Sequence, residues 1–268
     1  MKMPSGFLRV ESNLLRKRRR LGQHFLNSTK MAAQIVRVAR VEGDVVVEIG
    51  AGKGILTRQL ATRAKKVIAV EIDSQLACKL KDLKIPGVDV LNSDFLKVDL
   101  HELGAMIVVG NIPYSITSDI LDKLVEHKND INRVVLTMQK EYGDKMMASI
   151  GEPAYGYVTL YTNHHFVPRK EFLIPPRYFS PRPKVSSVVV SLEPRLTRND
   201  AEYEERFFAF VAGIFRYRRK ILKNAIAIHL GYLPDGIAED ALNKRPQHLR
   251  INDLHAIFQA AMEHEKNA

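Results

Sequence analysis

The sequence predicts an α/β protein, in which a parallel sheet carries helices on both faces and a small all-helical domain follows. Two features predict the sheet. Apolar, strand-like runs alternate with amphipathic helical patterns, and a glycine-rich turn follows the first of these runs. From about Asn199 onward the pattern is wholly helical. We therefore expect residues 1–196 to form the sheet domain and residues 197–268 to form the helical domain.

The individual elements follow from the spacing of apolar residues along the chain. Strands are predicted at Val45–Ile49, Val67–Ile72, Val88–Leu91, Met106–Val109 and Val134–Met138. Helices are predicted between them at Ile55–Ala64, Ser74–Leu83 and Ser118–Val125. Two later runs, Glu171–Ile174 and Val185–Leu192, flank a proline-rich turn and predict an antiparallel hairpin at the sheet edge. The helical domain should contain Tyr203–Ile214, Arg219–His229, Glu239–Leu242 and Ile251–Met262.

Composition narrows the class of protein. The chain has 268 residues, 46% of them hydrophobic, which is enough for a packed core. Its formal net charge of +11 favours a polyanionic partner such as nucleic acid over a merely soluble basic surface. The single cysteine, Cys78, excludes an internal disulfide and fits a reducing compartment. No membrane-spanning run or signal peptide is evident, so a cytoplasmic protein is expected.

The turn after the first strand indicates a nucleotide-type cofactor. Gly50, Gly52 and Gly54 separate that strand from a helix, where a tight turn and unpaired helix N–H groups allow close approach of a ligand. Glu71 ends the next strand, about 20 residues after Gly50, the usual place for a ribose-binding carboxylate. The spacing is neither that of a phosphate-binding P-loop nor the G-x-G-x-x-G of dehydrogenases, so a dehydrogenase is disfavoured.

Polar residues follow the other strands at corresponding points. In open α/β sheets, ligands bind beyond the carboxyl ends of the strands. Glu48 and Gly50, Glu71, Asp94 and Asn111 all occupy such ends and should line one crevice. Asp94 could accept a hydrogen bond from an adenine amine, or it could simply cap a short helix. No metal-ligand spacing is present, so no metal site is predicted.

Four motifs, in order, resemble those of one enzyme family. Asn111-Ile112-Pro113-Tyr114 resembles the N/D-P-P-Y/F motif of amino-group methyltransferases that use S-adenosylmethionine. The other three resemble motifs of ribosomal RNA adenine N6-dimethyltransferases, and they are Gly22–Leu26, Phe179–Ser187 and Phe215–Lys220. Tyr217 departs from the last motif, where the family usually has Gln. The resemblance covers nearly the whole chain and implies a Rossmann-like S-adenosylmethionine-dependent methyltransferase sheet with a small C-terminal helical domain.

The resemblance also implies roles for particular residues. The cofactor S-adenosyl-L-methionine would be bound by Gln23, His24, Leu26, Glu48, Gly50, Gly52, Glu71, Ile72, Asp94, Phe95 and Asn111. The target adenine would be held by Asn111, Ile112, Pro113, Tyr114 and Phe179, with the two aromatic rings on opposite faces of the base. Ribosomal RNA would be contacted by two basic clusters, Arg16, Arg18, Arg19 and Arg20 near the N-terminus and Arg216, Arg218, Arg219 and Lys220 at the start of a late helix.

The expected function is therefore dimethylation of N6 on two neighbouring adenosines near the 3′ end of small-subunit rRNA, during ribosome biogenesis. The partners would be that rRNA and the pre-ribosomal small subunit, and the enzyme would act as a monomer. His24 in the first motif, with the compact length, suggests an archaeal source. Two alternatives stay open. One is a large-subunit rRNA methyltransferase of the antibiotic-resistance type, and the other is a non-catalytic ribosome-assembly factor.

Overall fold

The computed structural model describes residues 24–104, 106–195 and 200–267. Within these ranges the chain forms two compact units. The first unit contains the described residues up to Gly143 together with Pro168–Pro194. The second contains Asp144–Val167 and the described residues from Arg195 onward.

Strands and helices are numbered along the described chain. The strands are β1 (Phe25–Leu26), β2 (Val45–Ile49), β3 (Lys66–Val70), β4 (Val88–Leu91), β5 (Met106–Asn111), β6 (Ile131–Gln139), β7 (Phe166–Ile174), β8 (Phe179–Ser180) and β9 (Ser187–Pro194). The helices are α1 (Thr29–Ala39), α2 (Ile55–Ala61), α3 (Ser74–Asp82), α4 (Thr117–Glu126), α5 (Lys140–Met146), α6 (Tyr157–His165), α7 (Ala201–Arg216), α8 (Leu222–Leu230), α9 (Glu239–Leu242) and α10 (Ile251–Asn267).

A seven-stranded sheet forms the framework of the first unit, in the order β4-β3-β2-β5-β6-β9-β7. Strands β2 to β6 of this sheet pair in parallel, and β9 joins β6 in antiparallel register. The chain builds outward from β2 to β4 and then returns to place β5 on the other side of β2. The carboxyl ends of β2 and β5 therefore flank a topological switch point, where open α/β sheets bind ligands.

The central strands are buried because helices cover them. Val46, Val47 and Val108 are fully inaccessible, as expected for parallel strands protected on both faces. The hydrophobic core also includes Ile35 and Val36 of α1. Across the described ranges, none of the helices has both the length and the apolar character needed to cross a membrane.

The predicted elements do not include helix α1, although its local signals are clear. Ser28 precedes it, and the Ser28 hydroxyl accepts a hydrogen bond from the N–H of Met31 at 3.3 Å, as an N-cap residue does. One face of the helix is buried, through Met31, Ala32, Ile35, Val36 and Ala39. Arg40 ends it in a left-handed conformation, with φ of 53°.

The domain boundary differs from the predicted one. The chain does divide after Pro194, but Asp144–Val167 also belongs to the second unit. The physical reason is packing: Tyr155 and Leu160 are buried in a hydrophobic cluster with Phe207 and Phe258. The short α6 has little amphipathic contrast, so its sequence pattern did not reveal this association.

The predicted late hairpin is present with different bounds. Strand β7 begins at Phe166, and β9 lies between β6 and β7, so β7 forms the edge of the sheet. The proline-rich stretch between them is not a simple turn. It contains β8, which pairs antiparallel with β1, matching Phe25 to Ser180 and Leu26 to Phe179. This pairing joins the motif near the N-terminus to the proline-rich motif.

Substitution of Gly110 should destabilise the sheet at the switch point. A Cβ there would lie 2.8 Å from the Ile49 Cβ and 3.1 Å from the Ile49 carbonyl oxygen, and the backbone of the paired strand cannot move away cheaply. We expect Gly110→Ala to lower the free energy of unfolding by about 1–3 kcal/mol. Chemical denaturation of the variant and of the wild type would measure this loss of unfolding free energy. Gly156→Ala is the control, because its Cβ would meet nothing closer than 3.9 Å; an equal loss in both variants would contradict the steric explanation.

Candidate active site

Two adjoining cavities open at the switch point of the first unit. One is lined by His24, Phe25, Gly50, Glu71, Asn111, Ile112, Pro113 and Tyr114. The other is lined by Phe25, Leu26, Glu48, Gly50, Ala51, Gly52, Lys53, Ile55, Leu56 and Asn111. Glu48, Gly50, Glu71 and Asn111 thus lie together, as their positions at strand ends predicted. Asp94 lines neither of these two cavities.

The glycine turn is held against the end of β3. Gly50 and Ala51 donate their N–H groups to the Val70 carbonyl at 2.9 and 3.1 Å. Gly52 has a φ of 57°, and a Cβ there would lie 2.9 Å from the Phe25 ring. Only glycine allows both this backbone conformation and this contact. The turn therefore forms a concave cradle that is lined by backbone atoms and by the Phe25 ring.

Glu71 is oriented by backbone groups and not by a cation. Its Oε2 accepts from the Gly52 N–H and its Oε1 from the Asp73 N–H, each at 2.8 Å. The side chain is buried, and burial raises the pKa of its carboxyl, although the hydrogen bonds from Asp73 and Gly52 partly offset this. Each oxygen still has a free lone pair. The carboxylate can therefore accept hydrogen bonds from a pair of ligand hydroxyl groups.

Glu48 is the least satisfied polar group of the site. It is only 1% exposed, and its Oε2 has no hydrogen-bond partner among the described residues. Burial raises the pKa of its carboxyl to about 7, and the charge of Glu71 adds to this increase. The neighbouring Thr57 lowers the pKa in part, but no hydrogen bond of good geometry reaches Oε2. A buried, unpaired carboxylate oxygen facing a cavity fits a cationic ligand group.

Asn111 has a defined amide orientation. Its Nδ2 donates to the His24 carbonyl at 2.8 Å, so Oδ1 remains available as an acceptor. The next residue is also fixed, because the Ile112 N–H donates to the Thr137 carbonyl at 3.1 Å. Pro113 has φ of −62° and ψ of 133°, which turns the chain out of β5. The segment thus offers acceptors at the mouth of the first cavity.

Tyr114 is held at both its ring and its hydroxyl. Its ring lies 5.6 Å from that of His24, at an interplanar angle of 37°. Its hydroxyl is 2.7 Å from the Ser187 hydroxyl. Burial raises the pKa of Tyr114, so the phenol is neutral at physiological pH. Phe25 and Ser187 were not assigned roles from the sequence, although both belong to the motifs quoted above. Only the fold brings them to the site.

Phe179 is buried, and its role as the second stacking face for the base stays a prediction. Phe179 is 3% exposed and packs in the hydrophobic core with Leu26 and Ile174. Successive residues of a strand point to opposite faces, and pairing of β8 with β1 turns this side chain inward. Its ring therefore packs against the hydrophobic core of the first unit.

The other residues predicted to bind the cofactor differ in burial and in hydrogen bonding. Asp94 Oδ1 accepts from the Leu96 N–H at 3.1 Å and caps a one-turn helix, which was the alternative interpretation of this residue. Ile72 is 52% exposed, whereas Phe95 and Leu26 are buried. The contact of Asp94 with an adenine amine stays a prediction. Gln23, together with Arg16, Arg18, Arg19 and Arg20, lies outside the described residues.

The second basic cluster was predicted at the start of a helix. The structure instead places it at the end of one helix and in the turn that follows. Helix α7 continues through Arg216, and α8 begins only at Leu222. The remaining basic residues of the cluster occupy the turn between the two helices, and all are exposed: Arg218, Arg219 and Lys220. Arg218 also donates to the Pro153 carbonyl at 3.1 Å. The apolar pattern of α7 simply extends further than the predicted end at Ile214.

The second unit contains a cluster with metal-ligand chemistry that the sequence spacing did not reveal. Ligand atoms of His164, His165 and Glu204 lie within 4.8 Å of one another. His164 Nε2 lies 2.9 Å from Glu204 Oε1, which is hydrogen-bond distance. Since the residues come from α6 and α7, distant in the chain, local spacing could not indicate them. This cluster belongs to the second unit, whereas the crevice belongs to the first.

Comparison with known proteins agrees with the geometry. The sequence model of the family described as ribosomal RNA adenine dimethylase matches residues 14–259. The ribosomal RNA small subunit methyltransferase A of Thermosynechococcus vestitus is 34% identical over 267 residues, covering 95% of this chain and 100% of that protein. The protein of the same name from Alkaliphilus oremlandii is 38% identical over 218 residues, covering 77% of this chain and 76% of that one.

Solved structures show the same fold. A dimethyladenosine transferase from Plasmodium falciparum superposes with a TM-score of 0.74 and 25% identity, covering 91% of this chain and 98% of that one. The 23S rRNA methyltransferase ErmE gives a TM-score of 0.70 and 29% identity, covering 88% of this chain and 98% of that one.

The predicted archaeal source is not borne out, because the sequence relatives just named are bacterial. The reason is that one histidine in a short motif carries too little information to place a chain among organisms. The family itself is settled by the match over most of the chain: this protein belongs to the ribosomal RNA adenine dimethylases.

Proposed function

We propose that this enzyme transfers methyl groups to N6 of two neighbouring adenosines near the 3′ end of small-subunit rRNA, during ribosome biogenesis. The observation that carries the proposal is the position of Asn111. Its amide is oriented by the His24 carbonyl at the mouth of the crevice, beside the glycine turn. Relatives 34–38% identical to this chain are named as small-subunit enzymes, which supports the choice of substrate.

The methyl donor is S-adenosylmethionine, and the residues of the crevice fit it. When bound, it supplies an electrophilic methyl group on a sulfonium centre. Glu71 would accept hydrogen bonds from the ribose hydroxyls, since its two oxygens are already aimed by Gly52 and Asp73. Glu48 would face the cationic amino group with its unpartnered Oε2. Around the adenine and the methionine we place Ile72, Asp94, Phe95, Leu26, His24 and Gln23.

The target amine needs positioning more than it needs a base. The N6 lone pair of adenine is delocalised into the ring, so the nitrogen is a poor nucleophile. Asn111 Oδ1 and the Ile112 carbonyl would accept its two N–H groups and favour a tetrahedral nitrogen. Pro113 fixes the turn that carries them. Tyr114 would stack on the base, a contact worth about 1–3 kcal/mol in nucleic-acid sites. The base must leave its own stack to reach this crevice.

Contacts with rRNA would come from exposed basic side chains. The net charge of +11 favours a polyanion. Arg216, Arg218, Arg219 and Lys220 form one exposed patch, and the N-terminal arginines would form the other. We place the enzyme in the cytoplasm as a monomer acting on the pre-ribosomal small subunit. A reducing compartment agrees with the free thiol of Cys78.

A second candidate substrate is large-subunit rRNA. The likeness to ErmE, a 23S rRNA methyltransferase, favours it. Primer extension on both rRNAs after reaction would locate the methylated adenosines and discriminate the two substrates. A non-catalytic assembly role is less consistent with the site, because Asn111 and Glu71 keep their oriented hydrogen bonds.

The direct test is methyl transfer from labelled cofactor to small subunits that lack the modification. We expect wild-type protein to dimethylate two adjacent adenosines. Asn111→Ala should lower the single-turnover rate by about 10²-fold or more, since it removes an oriented acceptor. Cofactor affinity, measured by calorimetry, should change far less. Methylation confined to large-subunit rRNA would overturn the proposed substrate, and no transfer to either rRNA would support the assembly-factor alternative.

Cofactor affinity should depend on pH through Glu48. The pKa of its carboxyl is raised to about 7 in the free protein, and an adjacent ammonium favours the ionised form. Binding therefore releases a proton below that pKa, and affinity should rise by roughly 25-fold from about pH 5.5 to 7.5. Calorimetry in two buffers of different ionisation enthalpy would count the protons released. Glu48→Gln is the control, because it cannot titrate. A wild-type pH profile in that variant would assign the effect to another group, such as Glu71.

RNA binding should depend on the exposed patch between α7 and α8. Removing one protein–phosphate ion pair lowers the slope of log K against log salt by roughly 0.7–0.9. We expect Arg218→Ala with Arg219→Ala to weaken binding to the small subunit and to flatten the salt dependence by about 1.4–1.8. The control is Arg206→Ala with Lys244→Ala. It also removes two positive charges, but from side chains that form ion pairs with Glu265 and Asp240. Equal slopes in the two double variants would show that only net charge matters.

A further inference from the structure

Ser187 is fully buried in the sheet beside the active site. It is the first residue of β9, has no exposed surface, and lies opposite Gln139 in the antiparallel pairing with β6. The preceding residue is fixed as well, since the Ser186 carbonyl accepts from the Lys140 N–H at 3.1 Å. Its hydroxyl is therefore presented from the rigid sheet and not from a loop.

Tyr114, unlike Ser187, lies outside the sheet. It begins a one-turn helix, Tyr114–Ile116, just after β5, and it is only partly buried. Its backbone is restrained because the Thr117 hydroxyl lies 3.3 Å from the Tyr114 carbonyl oxygen. This backbone contact does not by itself fix the side-chain torsions of the ring. A hydrogen bond at the far end of the ring restricts them, and the Ser187 hydroxyl supplies one at 2.7 Å.

We propose that Ser187 is a positioning residue for methyl transfer, which holds the ring of Tyr114 at the angle needed to stack on the target adenine. The inference rests on the proposed function of Tyr114 as the stacking residue. Ser187 does not touch the base. It acts through the phenol hydroxyl, while His24 limits the ring from another side at 5.6 Å between centroids.

The phenol itself has no proton-transfer role in this arrangement. Burial raises the pKa of Tyr114, so the hydroxyl stays protonated and neutral. It can exchange hydrogen bonds with Ser187 but cannot remove a proton from the adenine amine. The hydroxyl therefore matters for orientation, and an otherwise intact ring in Tyr114→Phe should stack at a less favourable angle.

A double-mutant cycle tests the proposal. The proteins are wild type, Ser187→Ala, Tyr114→Phe and the double variant, each assayed in single turnover on undermodified small subunits at saturating cofactor and subunit. We expect each single variant to be roughly three- to tenfold slower, as removal of one hydrogen bond allows, and the double variant to be no slower than either. Cofactor affinity should be unchanged in all four.

Ser191→Ala is the matched control. Ser191 is also a fully buried serine of β9, and its hydroxyl bonds to Glu171, away from the crevice. It should lose a similar amount of stability in thermal unfolding and keep the wild-type rate. A merely structural role of Ser187 would slow both serine variants equally, and would not make its effect vanish in the Tyr114→Phe background.

The possible negative results distinguish the positioning role of Ser187 from the stacking role of Tyr114. A wild-type rate in Ser187→Ala, or additive effects in the cycle, would overturn the positioning role of Ser187, even if Tyr114→Ala were inactive. A wild-type rate in Tyr114→Ala would instead overturn the stacking function on which the inference rests. If Ser187→Ala does not fold, Tyr114→Phe removes the same hydrogen bond from the other side, and a wild-type rate there would also overturn the proposal.

Discussion

The hydrogen bond from the Gly52 N–H to the Glu71 carboxylate is the interaction on which the crevice depends. It ties the glycine turn after β2 to the end of β3, across two neighbouring parallel strands. The same carboxylate accepts from the Asp73 N–H and so also fixes the start of α3. Because the side chain is buried, these bonds are weakly screened and leave its oxygens in one orientation. One acidic residue thus shapes the cradle and presents acceptors to it.

The opposite wall of the crevice is assembled from remote segments. Pairing of β1 with β8 brings Phe25 over Gly52, where only a glycine leaves room for the ring. The His24 carbonyl then orients the Asn111 amide, and His24 Nδ1 contacts the Pro181 carbonyl at 2.7 Å. The motif near the N-terminus therefore links the cofactor cradle, the acceptor at the mouth and the proline-rich segment. The residues proposed to bind the cofactor and those proposed to position the base therefore share this wall.

The sequence predicted those features that depend on local pattern. Strand runs and the glycine turn are set by side-chain period and by backbone sterics within a few residues, and Glu71 is located by the end of one such run. What it missed depends on contacts between distant residues. Ser187 and Tyr114 are 73 positions apart, and the inward turn of Phe179 follows from a pairing of two-residue strands. Asp144–Val167 joined the second unit through aromatic packing that its weak periodicity did not indicate.

Glu48 shows how a site can retain a locally unfavourable group. Both Glu48 and Glu71 are almost inaccessible, and two carboxylates in one crevice repel each other. Glu71 is compensated by backbone N–H groups, whereas Glu48 Oε2 has no partner among the described residues. An uncompensated buried oxygen lowers the stability of the free protein by about 1–3 kcal/mol. A cationic ligand group would recover that free energy on binding, so the same atom that weakens the free protein would strengthen the complex.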